Sequence, residues 1–206
     1  ETLYMVIVST LLAYIIGIPM GIILNVTSSN GIRPNRAVNV ILGVIVNILR
    51  SVPFIILLLA LIPFTRAIVG TTVGSTAVIV PLVVSAAPFV ARMIESSLKE
   101  VDAGVIEAAE SMGSTRMQII FKVLLPEARP SMTVGAAISI VTILGYSAMA
   151  GFVGGGGLGA IAINYGYYRY DYQIMLITVV LIVIIVQIFQ EVFMRIATKT
   201  DRRINK

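Results

Sequence analysis

The chain has 206 residues, of which 58% are hydrophobic and 12% are charged. Its mean hydropathy of +0.99 lies far above the range of soluble globular domains, which indicates a protein of the lipid bilayer. The absence of cysteine and histidine excludes disulfide scaffolds, zinc and iron–sulfur sites, and nucleophilic pairs that need either residue. The net charge of +5 is a topology signal in such a chain rather than evidence for nucleic acid as a partner.

Five stretches of the sequence are long and apolar enough to cross a bilayer, which takes about 20 residues of helix. The predicted spans cover about residues 3–24, 38–64, 73–91, 131–151 and 173–193. A glycine-rich run at residues 154–159 ends the helical part of the fourth uncharged stretch. The sequence therefore predicts an all-α integral membrane protein, with residues 1–206 forming a single transmembrane domain.

The lysines and arginines are distributed unevenly between the loops. Alternating the loops of a five-span chain places twelve of these cations on one side and two, Arg66 and Arg169, on the other. The positive-inside rule makes the twelve-cation side cytoplasmic. We therefore expect the N-terminus outside and the C-terminal tail inside. Since no basic segment precedes residues 3–24, we expect that stretch to be a retained span rather than a cleaved signal.

The most polar loop is a cytoplasmic insert between the third and fourth spans, residues 99–126. Asp102 is the expected N-cap of a first helix, and Gly113 is expected to end that helix in a left-handed conformation. Ser114 is the expected cap of a second helix that ends before Pro126. The second helix places four apolar residues on one face: Ile119, Ile120, Val123 and Leu124. Spacing alone is equally consistent with a hairpin lying on the headgroups and with an elbow that contacts a partner.

The motif in this insert resembles a known one. The run Glu107-Ala108-Ala109-Glu110-Ser111-Met112-Gly113, followed later by Leu-Pro, resembles the EAA loop of ABC-importer permeases. In that family the loop is a coupling helix that docks in a groove on a cytoplasmic ATPase subunit. The resemblance assigns ATPase coupling to Glu107, Ala108, Ala109, Met112, Gly113, Ser114, Leu125 and Pro126. The two small alanines would let a partner approach closely, Glu107 would offer it a charge, and Gly113 would set the angle between the helices.

Further stretches, at residues 50–58, 62–66, 86–93 and 145–151, resemble the methionine-importer permeases. The similarity covers nearly the whole chain but not the basic tail at residues 199–206. It implies a type I importer permease of the bacterial plasma membrane, with five spans per subunit. The implied partners are a second copy in a homodimer, two cytoplasmic ABC ATPase subunits and an extracytoplasmic substrate-binding protein. The implied substrate is methionine, with another amino acid or a short peptide as the alternative.

The energy source is expected to lie outside the chain. It has no phosphate-binding loop of the form Gly-x-x-x-x-Gly-Lys-Ser/Thr, so we expect ATP and magnesium to bind the partner and this chain to hold no cofactor, no metal and no catalytic residue. The dinucleotide-like spacing of Gly154, Gly156 and Gly159 follows a membrane span rather than a strand, and we interpret it as a packed hinge. A stand-alone secondary transporter is the competing hypothesis. It would need a coupling-ion site, and the predicted spans carry no Asp or Glu away from their ends.

The first candidate group for a substrate pathway surrounds Arg50, the one charge well inside a predicted span. A charge at the bilayer centre costs about 2.5–3.5 kcal/mol, so it needs a compensating environment. Asn47 lies one turn earlier and Ser51 follows directly, which predicts a polar stripe facing a cavity, and Pro53 is expected to kink the helix. Arg50 either orients the carboxylate of an amino acid or makes a structural pair, and the sequence weights the two equally.

The second candidate group lies in the fourth span and consists of Tyr146, Ser147 and Met149. Small residues surround them, which favours close helix packing over ligand contact. Met149 is the expected exception, because its flexible thioether suits an adaptable apolar surface.

Overall fold

The structure, a computed structural model, describes residues 1–200, and those residues fold into helices joined by short loops. The helices are α1 (Thr2–Val26), α2 (Arg36–Ser51), α3 (Phe54–Ala60), α4 (Ile62–Val69), α5 (Ser75–Lys99), α6 (Ala103–Ser111), α7 (Arg116–Gln118), α8 (Leu125–Glu127), α9 (Arg129–Met149), α10 (Gly157–Ile161) and α11 (Tyr172–Thr200). Short π-helical turns cover Ile119–Leu124 and Ala162–Tyr167, and a 3-10 turn covers Ala150–Val153. Three tail cations assigned to the inner side, Arg202, Arg203 and Lys206, lie outside the described residues.

Helix α5 is the centre of the bundle. It packs along α1 on one side and against α9 on another, while α11 packs on α9 at the periphery. In its most apolar stretch 67% of α5 is buried, compared with 6% for α11. Four helices, α1, α5, α9 and α11, are individually long and apolar enough to span a bilayer, and they coincide with four of the predicted spans. The exposed surfaces of these four helices are apolar along their length, as is expected for helices that face the hydrocarbon core of a bilayer.

Two glycines let α1 and α5 approach each other closely. A Cβ atom on Gly17 would lie 2.6 Å from Cγ1 of Val90, and one on Gly21 would lie 2.6 Å from the carbonyl oxygen of Ala91. Both distances are shorter than any real carbon contact, so no larger residue fits without movement of a helix. Small residues at such crossings are typical of helix packing in membranes.

The second predicted span, residues 38–64, is a broken helix rather than a continuous one. Helix α2 ends at Ser51, Val52 is extended at φ −81° and ψ 125°, and α3 starts after Pro53 with its axis turned by 102°. Proline lacks an N–H and disfavours the helical conformation of the residue before it, so the expected kink becomes a full break. Arg50 therefore lies in the last turn of α2, not in the middle of a long helix.

The two ends of α5 define two ends of the molecule. The elbow, defined as residues 99–126, follows the C-terminus of α5 directly. At the other end, the glycine loop, residues 154–157, receives a hydrogen bond from the N–H of Gly74 to the carbonyl of Gly154 at 3.1 Å. The start of α1 is fixed to the same region, because the N–H groups of Gly157 and Leu158 donate to the Glu1 carboxylate and the Thr2 hydroxyl, each at 2.8 Å.

Candidate functional site

The first arm of the elbow is built as the sequence predicts. The Asp102 carboxylate caps α6 by accepting a hydrogen bond from the N–H of Gly104 at 2.8 Å. Gly113 follows the helix with φ +77°, and the N–H of Ser114 returns to the carbonyl of Ala109 at 3.1 Å. No atom lies within 4 Å of the position that a Cβ on Gly113 would take. The glycine is therefore required by the backbone angle and not by lack of space.

The cap of the second arm is Thr115, which corrects the expectation of Ser114. The Thr115 hydroxyl accepts from the N–H of Gln118 at 3.4 Å, and the Gln118 side-chain oxygen accepts from the N–H of Thr115 at 2.8 Å. This reciprocal capping box needs Glu or Gln three residues after the cap. Gln118 satisfies that spacing for Thr115, whereas the residue three positions after Ser114 is Met117.

The second arm does not end before Pro126, contrary to the prediction. A π-helical turn at Ile119–Leu124 lets the N–H of Leu125 bond to the carbonyl of Ile120, five residues earlier. Pro126 then falls in the first turn of α8, where its missing N–H leaves no bond unmade. The helical backbone continues to Glu127, and α9 begins two residues later. The elbow is therefore joined to α9 without a flexible loop.

The two arms pack on each other through an apolar face. Ile119, Ile120 and Leu124 are buried and Val123 is half-buried, as the spacing predicts. Ala109 is also buried, with 3% of its surface exposed, and belongs to the same core cluster. The small side chain of Ala109 thus brings the two arms of this chain together, whereas its neighbour Ala108 faces outward.

The exposed tip of the elbow is a small surface that combines apolar and charged side chains. Met112 is 79% exposed, and Glu107, Ala108 and Gly113 are exposed beside it. The remaining residues assigned to coupling, Ser114, Leu125 and Pro126, are half-buried. A flexible thioether next to a carboxylate on a rigid turn is suited to insertion into a groove of another protein.

Arg50 and its two predicted neighbours do not form one hydrogen-bonded stripe. The Arg50 guanidinium lies 5.8 Å from the ring centroid of Phe89 on α5, at the C-terminal end of α2 where a cation is favoured. Ser51 donates its hydroxyl to the backbone carbonyl of Asn47 at 2.8 Å. All three side chains are exposed on the surface of the single chain, and Asn47 is engaged with Arg92 rather than with Arg50.

Arg92 belongs to a charged cluster on α5 that the sequence analysis missed. Its guanidinium contacts the Glu95 carboxylate at 2.5 Å, and the ammonium of Lys99 contacts the other oxygen of Glu95 at 2.7 Å. The second guanidinium nitrogen donates to the Asn47 side-chain oxygen at 2.9 Å and to the Gly43 carbonyl at 3.3 Å. The spacing of Arg, then Glu three residues later, then Lys four residues later would have indicated one helical face. The predicted third span ends at residue 91, one residue before this face begins, whereas α5 continues to Lys99.

The second pathway group is split by the structure. The Tyr146 ring stacks on Phe54, with centroids 4.7 Å apart and planes 7° from parallel, so it joins α9 to the start of α3. Ser147 is buried and donates its hydroxyl to the carbonyl of Leu144 on its own helix at 2.8 Å. Met149 is 41% exposed. The geometry therefore brings Tyr146 close to the break after α2 and buries Ser147 inside the bundle.

Two cavities lie at the elbow end of the bundle. One of about 570 Å³ separates the loop after α1 from α6, and one of about 370 Å³ lies between the ends of α5, α9 and α11. Within residues 1–200, no group of three or more Asp and Glu side chains is arranged to hold a metal ion.

Comparison with known proteins places this architecture in a family. Residues 17–206 match the family described as "Binding-protein-dependent transport system inner membrane component". A Vibrio cholerae protein named "Probable D-methionine transport system permease protein MetI" is 52% identical over 98% of this chain and 90% of its own length. The Escherichia coli K12 protein named "D-methionine transport system permease protein MetI" is 53% identical over 73% of this chain and 70% of its own length.

Solved structures agree with this assignment. A chain from "Inward facing conformations of the MetNI methionine ABC transporter" superposes with a TM-score of 0.96 at 50% identity, covering 98% of this chain and 94% of that one. A chain from "Crystal structure of an amino acid ABC transporter with histidines" has a TM-score of 0.78 at 19% identity, over 96% of this chain and 90% of that one, and supports the fold alone. The predicted type I importer fold is confirmed, and the chain is a transport component rather than an enzyme. It belongs to the inner membrane permease components of binding-protein-dependent ABC import systems.

Proposed function

We propose that this chain is the permease subunit of an ATP-driven methionine importer, acting as a homodimer with two cytoplasmic ATPase subunits and an external binding protein. The proposal is supported by about 50% identity to permeases named for D-methionine transport and to a chain of a methionine ABC transporter. The observation that carries the coupling role is the elbow, whose exposed tip lies between α5 and α9 and whose second arm runs into α9 without a flexible loop.

The elbow end is the cytoplasmic end in this proposal. It carries Arg33, Lys99, Arg116, Lys122 and Arg129, whereas the glycine-loop end carries Arg66 and Arg169. The asymmetry supports an N-terminus outside and a C-terminus inside. ATP and magnesium are bound by the ATPase partners, because this chain lacks a phosphate-binding loop.

Transport follows from moving the two elbows of the dimer. Closure of the ATPases around ATP draws the elbows together, and each elbow displaces the two helices that flank it, α5 before it and α9 after it. Because α1 and α9 pack on α5, the three helices move as a group and open the pathway towards the binding protein.

Arg50 is the proposed contact for the substrate carboxylate. It lies exposed at the end of α2, next to the break at Val52 and Pro53, where the last carbonyls of α2 lose their helical partners. A zwitterionic amino acid offers a carboxylate to the arginine and an ammonium group to such carbonyls. Tyr146 and Met149 supply apolar surface on α9 for a thioether side chain.

The decisive experiment is uptake of labelled methionine by vesicles that contain the chain, its co-purified ATPase and the binding protein. We expect uptake that requires ATP and the binding protein, and that excess unlabelled methionine abolishes while alanine does not. Uptake that proceeds without ATP would instead support a stand-alone transporter.

The coupling surface can be tested separately, because the chain has no native cysteine to give background. We expect Met112→Cys at the elbow tip to crosslink to the ATPase subunit. Tyr168→Cys, also strongly exposed but near the glycine-loop end, is the matched control and should not crosslink. Equal crosslinking from both positions would contradict the coupling role.

A further inference from the structure

Helix α2 is attached to the bundle by one small apolar cluster and by polar contacts. Val46, its one buried residue, lies in that cluster with residues of α1 and α5, and α2 also carries the pathway candidate Arg50. At its start, the Asn39 amide donates to the carbonyl of Leu24 at 2.8 Å, which ties α2 to α1. Further along, the Arg92 guanidinium of α5 donates a pair of hydrogen bonds to α2, beside the apolar cluster and the ring contact of Arg50. Those two bonds are the hydrogen-bonded part of the contact between α2 and α5.

Arg92 also lies on the segment that leaves the bundle for the elbow. It precedes Lys99, the last residue of α5, by two helical turns, and Glu95 connects the two cations on one face. A displacement of the elbow moves this face first, because the helix has no break between Arg92 and Lys99. The guanidinium is thus the part of that face that contacts the helix with the pathway residues.

We propose that Arg92 is a positioning residue that transmits the movement of the elbow to α2 through its hydrogen bond to Asn47. This inference rests on the proposed import function and adds a residue to it. When α5 shifts, the charged hydrogen bond carries α2 with it and reorients Arg50 at the substrate. Without the bond, the ATPases still drive the elbow, but α2 no longer follows.

The contacts make this link separable from the folding of the chain. Glu95, with 5% of its surface exposed, keeps Lys99 as a partner when Arg92 is replaced, so no buried carboxylate loses all its cations. The side chain of Asn47 is exposed, so the loss of Arg92 leaves no buried amide without a partner. We therefore expect Arg92→Gln to fold normally and to affect coupling.

The test is the number of ATP molecules hydrolysed per methionine imported by the reconstituted complex. We expect Arg92→Gln and Asn47→Ala each to lower uptake about tenfold or more, the loss typical of one hydrogen bond to a charged group, while ATP hydrolysis stays within about twofold of the original. The double variant should be no worse than either single one, because both remove the same bond. Additive effects, or a parallel fall of uptake and hydrolysis, would overturn the proposal.

A second pair of variants leaves both partners in place. A Cβ on Gly43 would lie 3.5 Å from the guanidinium nitrogen, so Gly43→Ala fits, whereas Gly43→Leu fills the space that Arg92 occupies. We expect Gly43→Leu to reproduce the uncoupling and Gly43→Ala to leave it unchanged; equal behaviour of the two would count against the link. Arg195→Gln, which removes an exposed ion pair on α11, is the control for loss of charge and should have no effect. If the unmodified complex shows no ATP-driven uptake, the proposed function fails and not the link.

Discussion

Gly113 determines the shape of the elbow through a single backbone angle. Its φ of +77° is one that residues with a Cβ rarely adopt, and the space around it is open. The turn consequently has room for a larger side chain, but the backbone angle at this position disfavours any residue that has a Cβ.

We predict that Gly113→Ala destabilises the protein by about 1–2 kcal/mol, the usual cost of a left-handed conformation for an L-residue. The measurement is the melting temperature of the purified protein in detergent. Gly145→Ala is the matched control, since Gly145 also has no atom within 4 Å of its Cβ position but lies inside α9 with an ordinary helical φ. That control should be neutral or slightly stabilising. Equal losses at both positions would show that the angle is not responsible.

The guanidinium of Arg50 is the group that we expect to contact the substrate carboxylate. We expect Arg50→Ala to weaken methionine-dependent uptake at least about tenfold through loss of a charge-assisted hydrogen bond, and Arg50→Lys to retain part of it. The measurement is uptake over a range of methionine concentrations. An Arg50→Ala variant with full uptake and unchanged half-saturation would limit Arg50 to its contact with Phe89.

The residues that could be predicted from sequence are those set by their immediate neighbours. Asp102 and Gly113 satisfy short-range rules for helix ends, and both have the expected role. The choice of Thr115 over Ser114 depended on a reciprocal partner three residues on. The burial of Ala109 and the bond between Arg92 and Asn47 depend on other helices, so spacing along one helix could not reveal them.

The break between α2 and α3 is the element at which sequence prediction and structure differ most. Hydropathy reports how apolar a stretch is and not the direction of its axis, so two helices at 102° gave the signal of one long span. Pro53 marked the position correctly. The size of the turn could not be inferred, because it depends on what α3 packs against, which includes α5 and the ring of Tyr146.

We predict that Pro53→Ala reduces this bend, because it restores an N–H and removes the steric restriction on Val52. Spin labels on cysteines introduced at Val44 and Leu59, both exposed, report the change as a longer distance in pulsed electron resonance. Pro63→Ala, within the first turn of α4, is the control and should leave that distance unchanged. An unaltered distance in Pro53→Ala would mean that packing alone holds the bend.

The close crossing of α1 and α5 leaves no room for a side chain at Gly21. Gly21→Ala would place a methyl group 2.6 Å from the backbone carbonyl of Ala91, which cannot move aside like a side chain. We expect a loss of about 1–3 kcal/mol, typical of overpacking, seen as a lower melting temperature and folded yield. Gly135→Ala is the control, because its nearest atoms, on Met93, lie 3.5 Å away. Similar losses for the two variants would contradict the close crossing.

The distribution of lysines and arginines between the two ends of the molecule predicts its orientation in the membrane, with the elbow end in the cytoplasm. The packing of the helices carries no information on that orientation. We expect cysteines at Ser29 and Met117, near the elbow end, to be protected from a membrane-impermeant thiol reagent in intact cells. Cysteines at Thr71 and Tyr168, near the glycine-loop end, should react, since all four positions are exposed in the structure. Protection of the second pair and reaction of the first would reverse the orientation.

The glycine-mediated contact between α1 and α5 has a mechanical consequence. Where two helices pack backbone against backbone, a change of side-chain rotamer cannot accommodate a shift of one relative to the other. Helices α1 and α5 therefore move as one rigid body. Each helix has 25 residues, a length of about 37 Å. The helix pair has the elbow at one end and the glycine loop at the other, where the loop is hydrogen-bonded to Glu1 and Thr2. A movement of one end of this helix pair is therefore transmitted to the other end without repacking of side chains between them. The elbow surface and the glycine-loop surface are linked by the rigidity of one pair of helices.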